Sequence, residues 1–197
     1  MSTDVLSSPS LSLRLKQETE PQHLRMHALM ERAQPFSSRE RYAGFVAVQY
    51  LFQRDVEHLF DDPQVRAAVD DLDARGRLAA ALADLQDLGA PVPEEAALAT
   101  AGIAMPAALG WLYVSEGSTL GAAFLFKEAR DRLGLSSGFG ARNLAAYPEG
   151  RARVWRRFVE SLDSERVAAG QHDAVIAGAN AAYDRFGTLL QATFALA

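Results

Sequence analysis

The chain has no cysteine, so disulfides, zinc–thiolate centres, iron–sulfur clusters and thiol nucleophiles are excluded together. Any metal must use histidine or carboxylate, and histidine is itself scarce, at 4 residues. No stretch is apolar and free of charge over the roughly 20 residues that a membrane-spanning helix needs. Met1 to Ser12 is polar and serine-rich and lacks the basic-then-apolar order of a signal peptide, so the expected location is the cytoplasm. Proline and glycine are few, 8 and 14 in 197 residues, which argues against extended disorder. Positive charge is in deficit as well. A net charge of −5 disfavours the broad phosphate contact of a nucleic-acid binder. Arg151, Arg153, Arg156 and Arg157 are a local exception, read first as a solvated helix face and second as a docking surface for an acidic partner.

What is present is apolar and periodic. With 49% hydrophobic residues, a chain of this length can bury one core, and no boundary or internal repeat divides it. The expected architecture is a single all-α domain over residues 11–197 behind a flexible lead, residues 1–10, with a monomer as the default state. Leu11 to Arg32 reads as a helix disturbed at Pro21, with Thr19 or Glu20 available to cap a new segment. A second helix starts after the Ser37–Ser38 cap and carries Phe45, Val48, Phe52, Leu59 and Phe60 on one stripe, and Pro63 ends it or follows its end. Asp70 to Leu88 is a third, stopped by Gly89 and Pro91, and a short turn spans Glu94 to Ala99. Met105 to Leu133 is a fourth, apolar on nearly all sides as far as Lys127 and therefore central. After a loop from Leu135 to Tyr147, Glu149 to Leu162 is a fifth. A sixth opens at Ser164 and buries Val175, Ala182, Phe186, Leu189 and Phe194.

Gly117 and Gly121 interrupt the fourth helix on one face. Each costs about 1 kcal/mol relative to alanine, so something must come close to the backbone there. On the pattern alone a neighbouring helix is the preferred object, and a flat ligand facing Ser118 and Thr119 is the alternative. His23 and His27 lie a turn apart on the first helix, with Lys16 two turns before His23. Either imidazole could serve as an axial ligand to haem iron. Glu20 with His23 and Asp55 with His58 also echo the carboxylate–histidine pairs of di-iron bundles, although Pro21 breaks the first pair and aspartate replaces glutamate in the second.

Leu15-Lys16-Gln17-Glu18-Thr19 before His23, with Leu112-Tyr113-Val114-Ser115-Glu116-Gly117-Ser118-Thr119-Leu120-Gly121-Ala122-Ala123-Phe124-Leu125, resembles the bacterial haem oxygenases. The branch it is most similar to occurs in Gram-negative pathogens and in bacteria where the enzyme accompanies a phytochrome. The likeness implies that His23 is the proximal iron ligand and that Lys16, Tyr113, Tyr183 and Arg185 are on the propionate side. Gly117, Ser118, Thr119 and Gly121 would then form the distal wall. It implies a haem-oxygenase-like helical bundle in which haem, both cofactor and substrate, lies between the first helix and the glycine-bearing one. With O2 and electrons from a ferredoxin or ferredoxin-NADP reductase, haem would be opened to biliverdin, carbon monoxide and ferrous iron, at the α-meso carbon. A bilin-accepting phytochrome is a candidate partner. Mammalian-type members carry an aspartate in this wall; here no acid stands between Gly117 and Gly121. The rival reading is a haem carrier or sensor that does not degrade its ligand.

Overall fold

The computed structural model describes residues 9–94 and 97–196. The expected lead, apart from residues 9 and 10, lies outside the described residues, as do residues 95 and 96 of the Glu94 to Ala99 turn. The elements are α1 Leu11–Glu18, α2 Glu20–Ala33, α3 Arg39–His58, α4 Pro63–Ala68, α5 Leu78–Asp87, α6 Ala107–Leu133, α7 Arg142–Ala145, α8 Arg151–Leu162 and α9 His172–Phe194. Among the described residues there is no strand, only isolated bridges from Ser136 to Phe139 and Gly140. No helix among them is long and apolar enough to cross a membrane.

The disturbance at Pro21 becomes a break two residues earlier, at Thr19. Thr19 ends α1, its hydroxyl donating to the Leu15 carbonyl at 2.7 Å, and Pro21 occupies the first turn of α2, where its missing N–H has no helical partner to lose. Ser38 caps α3 by accepting from Arg41 N at 3.2 Å. Pro63 follows the end of α3, as expected, and also opens a new helix: Asp62 accepts from Gln64 N at 2.8 Å and α4 follows.

The third expected helix does not run from Asp70 to Leu88. Asp71 takes a left-handed conformation (φ 55°), Leu72–Arg75 is a 3-10 turn, and α5 begins only at Leu78. The cause is tertiary. Glu57 of α3 accepts from the N–H groups of Arg77 (2.6 Å) and Leu78 (2.5 Å), supplying from another helix the cap that Arg77 cannot provide. Arg75 and Arg77 are thereby drawn inward, and both are buried. The last helix also starts late, at His172, because Ser164 turns back to donate to the Ser161 carbonyl at 2.7 Å.

The central pair is α6 and α9, with α3 against both, α2 laid on α9 and α8 on α6. Their crossing is set by Gly110 and Gly178. A Cβ on Gly110 would lie 2.1 Å from the Val175 carbonyl oxygen, and one on Gly178 would lie 2.1 Å from that of Ala107. Backbone therefore meets backbone, and no side chain of any size fits. Where α3 joins, Phe52 stacks on Trp111 at 6.0 Å and meets Phe186 edge-on at 5.3 Å. Each such buried ring contributes about 1.5–3 kcal/mol by leaving water.

Candidate active site

Helix α6 is central only in its first half. From Ala108 to Leu112 every residue is buried; beyond Glu116 the chain opens, with Leu120 38% and Phe124 77% exposed. Tyr113, Gly117 and Gly121 follow one another at four-residue steps, so they form one stripe, bordered by Leu120 and Phe124. The two glycines on it are not helix-packing residues. A Cβ on Gly117 would make ordinary contact with the Trp155 ring at 3.6 Å, and one on Gly121 would meet nothing within 4 Å. The preferred expectation, a neighbouring helix at Gly117 and Gly121, is overturned: close packing occurs a turn and more upstream, at Gly110. What remains is an apolar stripe, stripped of side chains at its centre, edged by Trp155 at Gly117 and uncovered at Gly121 among the described residues. A flat apolar ligand fits that description.

Helix α2 supplies the imidazole. His23 is exposed, its ring 4.6 Å from that of His27 and 6.4 Å from that of Tyr183 on α9. Partial desolvation, and after it the neighbouring His27, hold the His23 imidazole below the ordinary histidine value, which favours the neutral, metal-binding form. Burial pushes Tyr113 up to about 12, with the nearby Tyr183 adding to the effect. Tyr183 is raised by burial too, partly offset by its hydrogen-bond partner Thr19. Both tyrosines thus remain neutral donors, suited to receive a carboxylate. Tyr113 in turn lies 5.5 Å from Trp155 of α8, the ring beside Gly117. His23 with Tyr183, and Tyr113 with Trp155 and Gly117, thus form two groups drawn from four helices, the two tyrosines near enough for one to influence the other's charge. Lys16, in the last turn of α1, is exposed and pairs with no acid among the described residues. A separate depression bounded by Arg39, Gly44, Asp87 and Pro91 includes none of these residues.

Behind the open stripe is a buried polar network absent from the sequence reading. Arg77 donates to the Ser115 carbonyl (2.8 Å) and hydroxyl (2.9 Å) and approaches the Ser118 hydroxyl at 3.4 Å. Gln53 of α3 also meets the Ser115 hydroxyl, at 3.3 Å. Glu116 accepts from Arg75 at 2.6 Å and from the Tyr147 hydroxyl at 2.7 Å. Arg151 is not part of a solvated face: it donates to the carbonyls of Thr119 (2.7 Å) and Leu144 (2.7 Å). Arg157 pairs with Glu149 and Asp71, while Arg153 and Arg156 are exposed as expected. These donors hold the carbonyls of the very helix segment that its glycines weaken.

Two expected site residues are not brought to the stripe. Thr119 is two residues from each glycine, hence about 200° around the helix from Gly117; it is 1% exposed and its hydroxyl donates to the Glu116 carbonyl at 2.6 Å. Ser118, exposed at the stripe's edge, donates to the Ser115 carbonyl at 2.6 Å. Arg185 sits two residues past Tyr183 and turns to the other side of α9, where it donates to buried Asp55 at 2.8 Å. That pairing also takes Asp55 out of any di-iron site. No group of three or more histidine and carboxylate side chains among the described residues could hold a metal ion.

A family model described as Heme oxygenase matches residues 9–192. The chain is 46% identical over 185 residues to Heme oxygenase PigA of Pseudomonas aeruginosa, covering 93% of each. Its structure is similar to the NO- and CO-bound heme oxygenase of Neisseria meningitidis (TM-score 0.87, 36% identity, 96% of this chain and 94% of that one). Heme oxygenase 2 of Chlamydomonas reinhardtii shares the fold at 19% identity (TM-score 0.79, 96% and 99% covered). The family model spans nearly the whole chain and the relatives are similar over nearly their full length, and the chain belongs to the heme oxygenase family.

Proposed function

We propose that this haem oxygenase seats its substrate between α2 and the open stripe of α6, with His23 as the axial ligand and Gly117, Ser118 and Gly121 as the distal wall. The observation that carries this is the empty space at Gly121, on the same stripe as Tyr113 and linked through Tyr183 to His23. Haem supplies the iron that activates oxygen and is itself the molecule opened. The chain's own residues do the rest. Neutral His23 offers its lone pair; Lys16, Tyr113 and Tyr183 hold the propionates and so set the rotation of the ring, placing the α-meso carbon for attack. The glycines let the ring approach the helix backbone, which limits the directions open to a small ligand on the iron. With no acid in the wall, the Ser118 hydroxyl, steadied by Ser115 and Arg77, is left to order water there. Electrons come from an external donor of the ferredoxin class.

Purified protein with haem, O2 and a ferredoxin-type reductant tests the reading. Loss of the Soret band with formation of biliverdin is the expected result; a persistent Soret band without verdin would make the site a carrier's. His23→Ala should abolish the axial-ligand spectrum, and an unchanged spectrum would remove His23 from the role.

A further inference from the structure

We propose that in the haem-free protein His23 and His27 together chelate one divalent transition-metal ion, so that such an ion and haem compete for the same imidazole. The competition rests on His23 being the axial ligand; the chelate itself does not.

The two histidines are four residues apart on α2, hence on one face. Both are exposed, and their rings stand 4.6 Å apart at 86°. Two imidazoles bound at about 2.1 Å to one ion have ring centres roughly 4.6 to 5.3 Å apart as the angle at the ion goes from a right angle to tetrahedral, a separation that rotation of these two exposed side chains can reach. Neither ring is engaged in an ion pair or hydrogen bond among the described residues. Among the described residues no third histidine or carboxylate completes a cluster, so water fills the remaining positions and the site stays open to exchange.

The ligand set defines the ion. Two neutral imidazoles suit Zn2+, Ni2+, Co2+ and Cu2+ and discriminate against Mg2+ and Ca2+, which require oxygen. Ferrous iron, the ion released beside His23 when the ring is opened, stands low in the divalent series. The pair would hold it briefly and let it pass on, whereas Zn2+ or Cu2+ would stay and block reloading.

The test uses the full-length, untagged, haem-free protein. Zn2+ is titrated calorimetrically and Co2+ by its visible absorption, against wild type, His27→Ala and His23→Ala, with melting curves to check folding of these surface variants. One ion per chain is expected, weakened about tenfold or more by either substitution. Haem loading, followed at the Soret band, should be inhibited by Zn2+ in wild type and not in His27→Ala. Absence of binding, or binding indifferent to both substitutions, overturns the chelate. Binding through both histidines with haem loading untouched by saturating Zn2+ overturns the competition, while the axial assignment is read separately from the haem spectrum of His23→Ala.

Discussion

Alanine at two glycines of α6 separates packing from ligand clearance. At Gly121 the added methyl meets no protein atom within 4 Å. The haem-free protein should therefore gain the helix propensity of alanine, about 1 kcal/mol, which for a chain of this size raises the melting temperature by about 2–4 °C. The same methyl projects into the space assigned to haem. Overpacking costs about 1–3 kcal/mol, equivalent to about 5- to 150-fold weaker haem binding, with turnover lost in parallel. Gly110→Ala is the counterpart. Its methyl would stand 2.1 Å from the Val175 carbonyl oxygen and 2.3 Å from Ala179 N. Backbone cannot rotate out of the way, so α6 and α9 must part. A cost above about 4 kcal/mol places this variant among the most destabilising single changes, visible as a melting temperature lower by about 10 °C or more or as failure to fold. Melting curves without haem and Soret titrations with it read both effects. If Gly121→Ala melted below wild type, or melted higher yet bound haem equally well, the stripe would not be a ligand face.

Arg77→Met removes the donor shared by Ser115 and Ser118 while keeping the apolar stem; turnover should fall about tenfold or more with haem affinity retained, and an unchanged kcat would confine Arg77 to a structural role. Lys16→Ala should shift biliverdin from the α isomer towards a mixture in a chromatographic isomer analysis; an α-only product would remove Lys16 from ring seating. Asp87 is held below the usual carboxylate range chiefly by its hydrogen bond from Arg142. A folded-state value below the unfolded one contributes stability above about pH 4 that disappears as pH falls through the folded value. The melting-temperature gap between wild type and Asp87→Asn should therefore be full at pH 6 and close on acidification; a gap constant down to pH 3 would show that the ion pair is not its source.

Local signals in the sequence were legible where the structure answers them locally. Ser38 caps α3 because its hydroxyl reaches Arg41 N three residues on, and the apolar stripe from Phe45 to Phe52 is buried as its period requires. They misled where a distant residue decides. Asp70 to Leu88 is rich in alanine and leucine, yet Glu57, from another helix, accepts the N–H groups of Arg77 and Leu78 and fixes the helix start at Leu78. The apolar run through Lys127 looked like a fully buried helix because apolar periodicity reports what must be covered, not by what. Leu120 and Phe124 need cover, and none of the described residues completes it.

The same distinction governs the glycines. Gly117 and Gly121 form the small-xxx-small spacing that in one helix reads as a packing face, whereas Gly110 and Gly178 are 68 positions apart in the numbering and have no pattern to connect them. Only the fold shows that the second pair carries the helix crossing. The first pair then weakens the helix with no packing gain to offset it. The compensation is on the helix's other side, where Arg77 and Arg151 donate to the carbonyls of Ser115 and Thr119. A helix held from behind by buried arginines can present bare backbone in front, and this is why Thr119, whose hydroxyl serves the hidden side, cannot share the open face with Gly117 and Gly121.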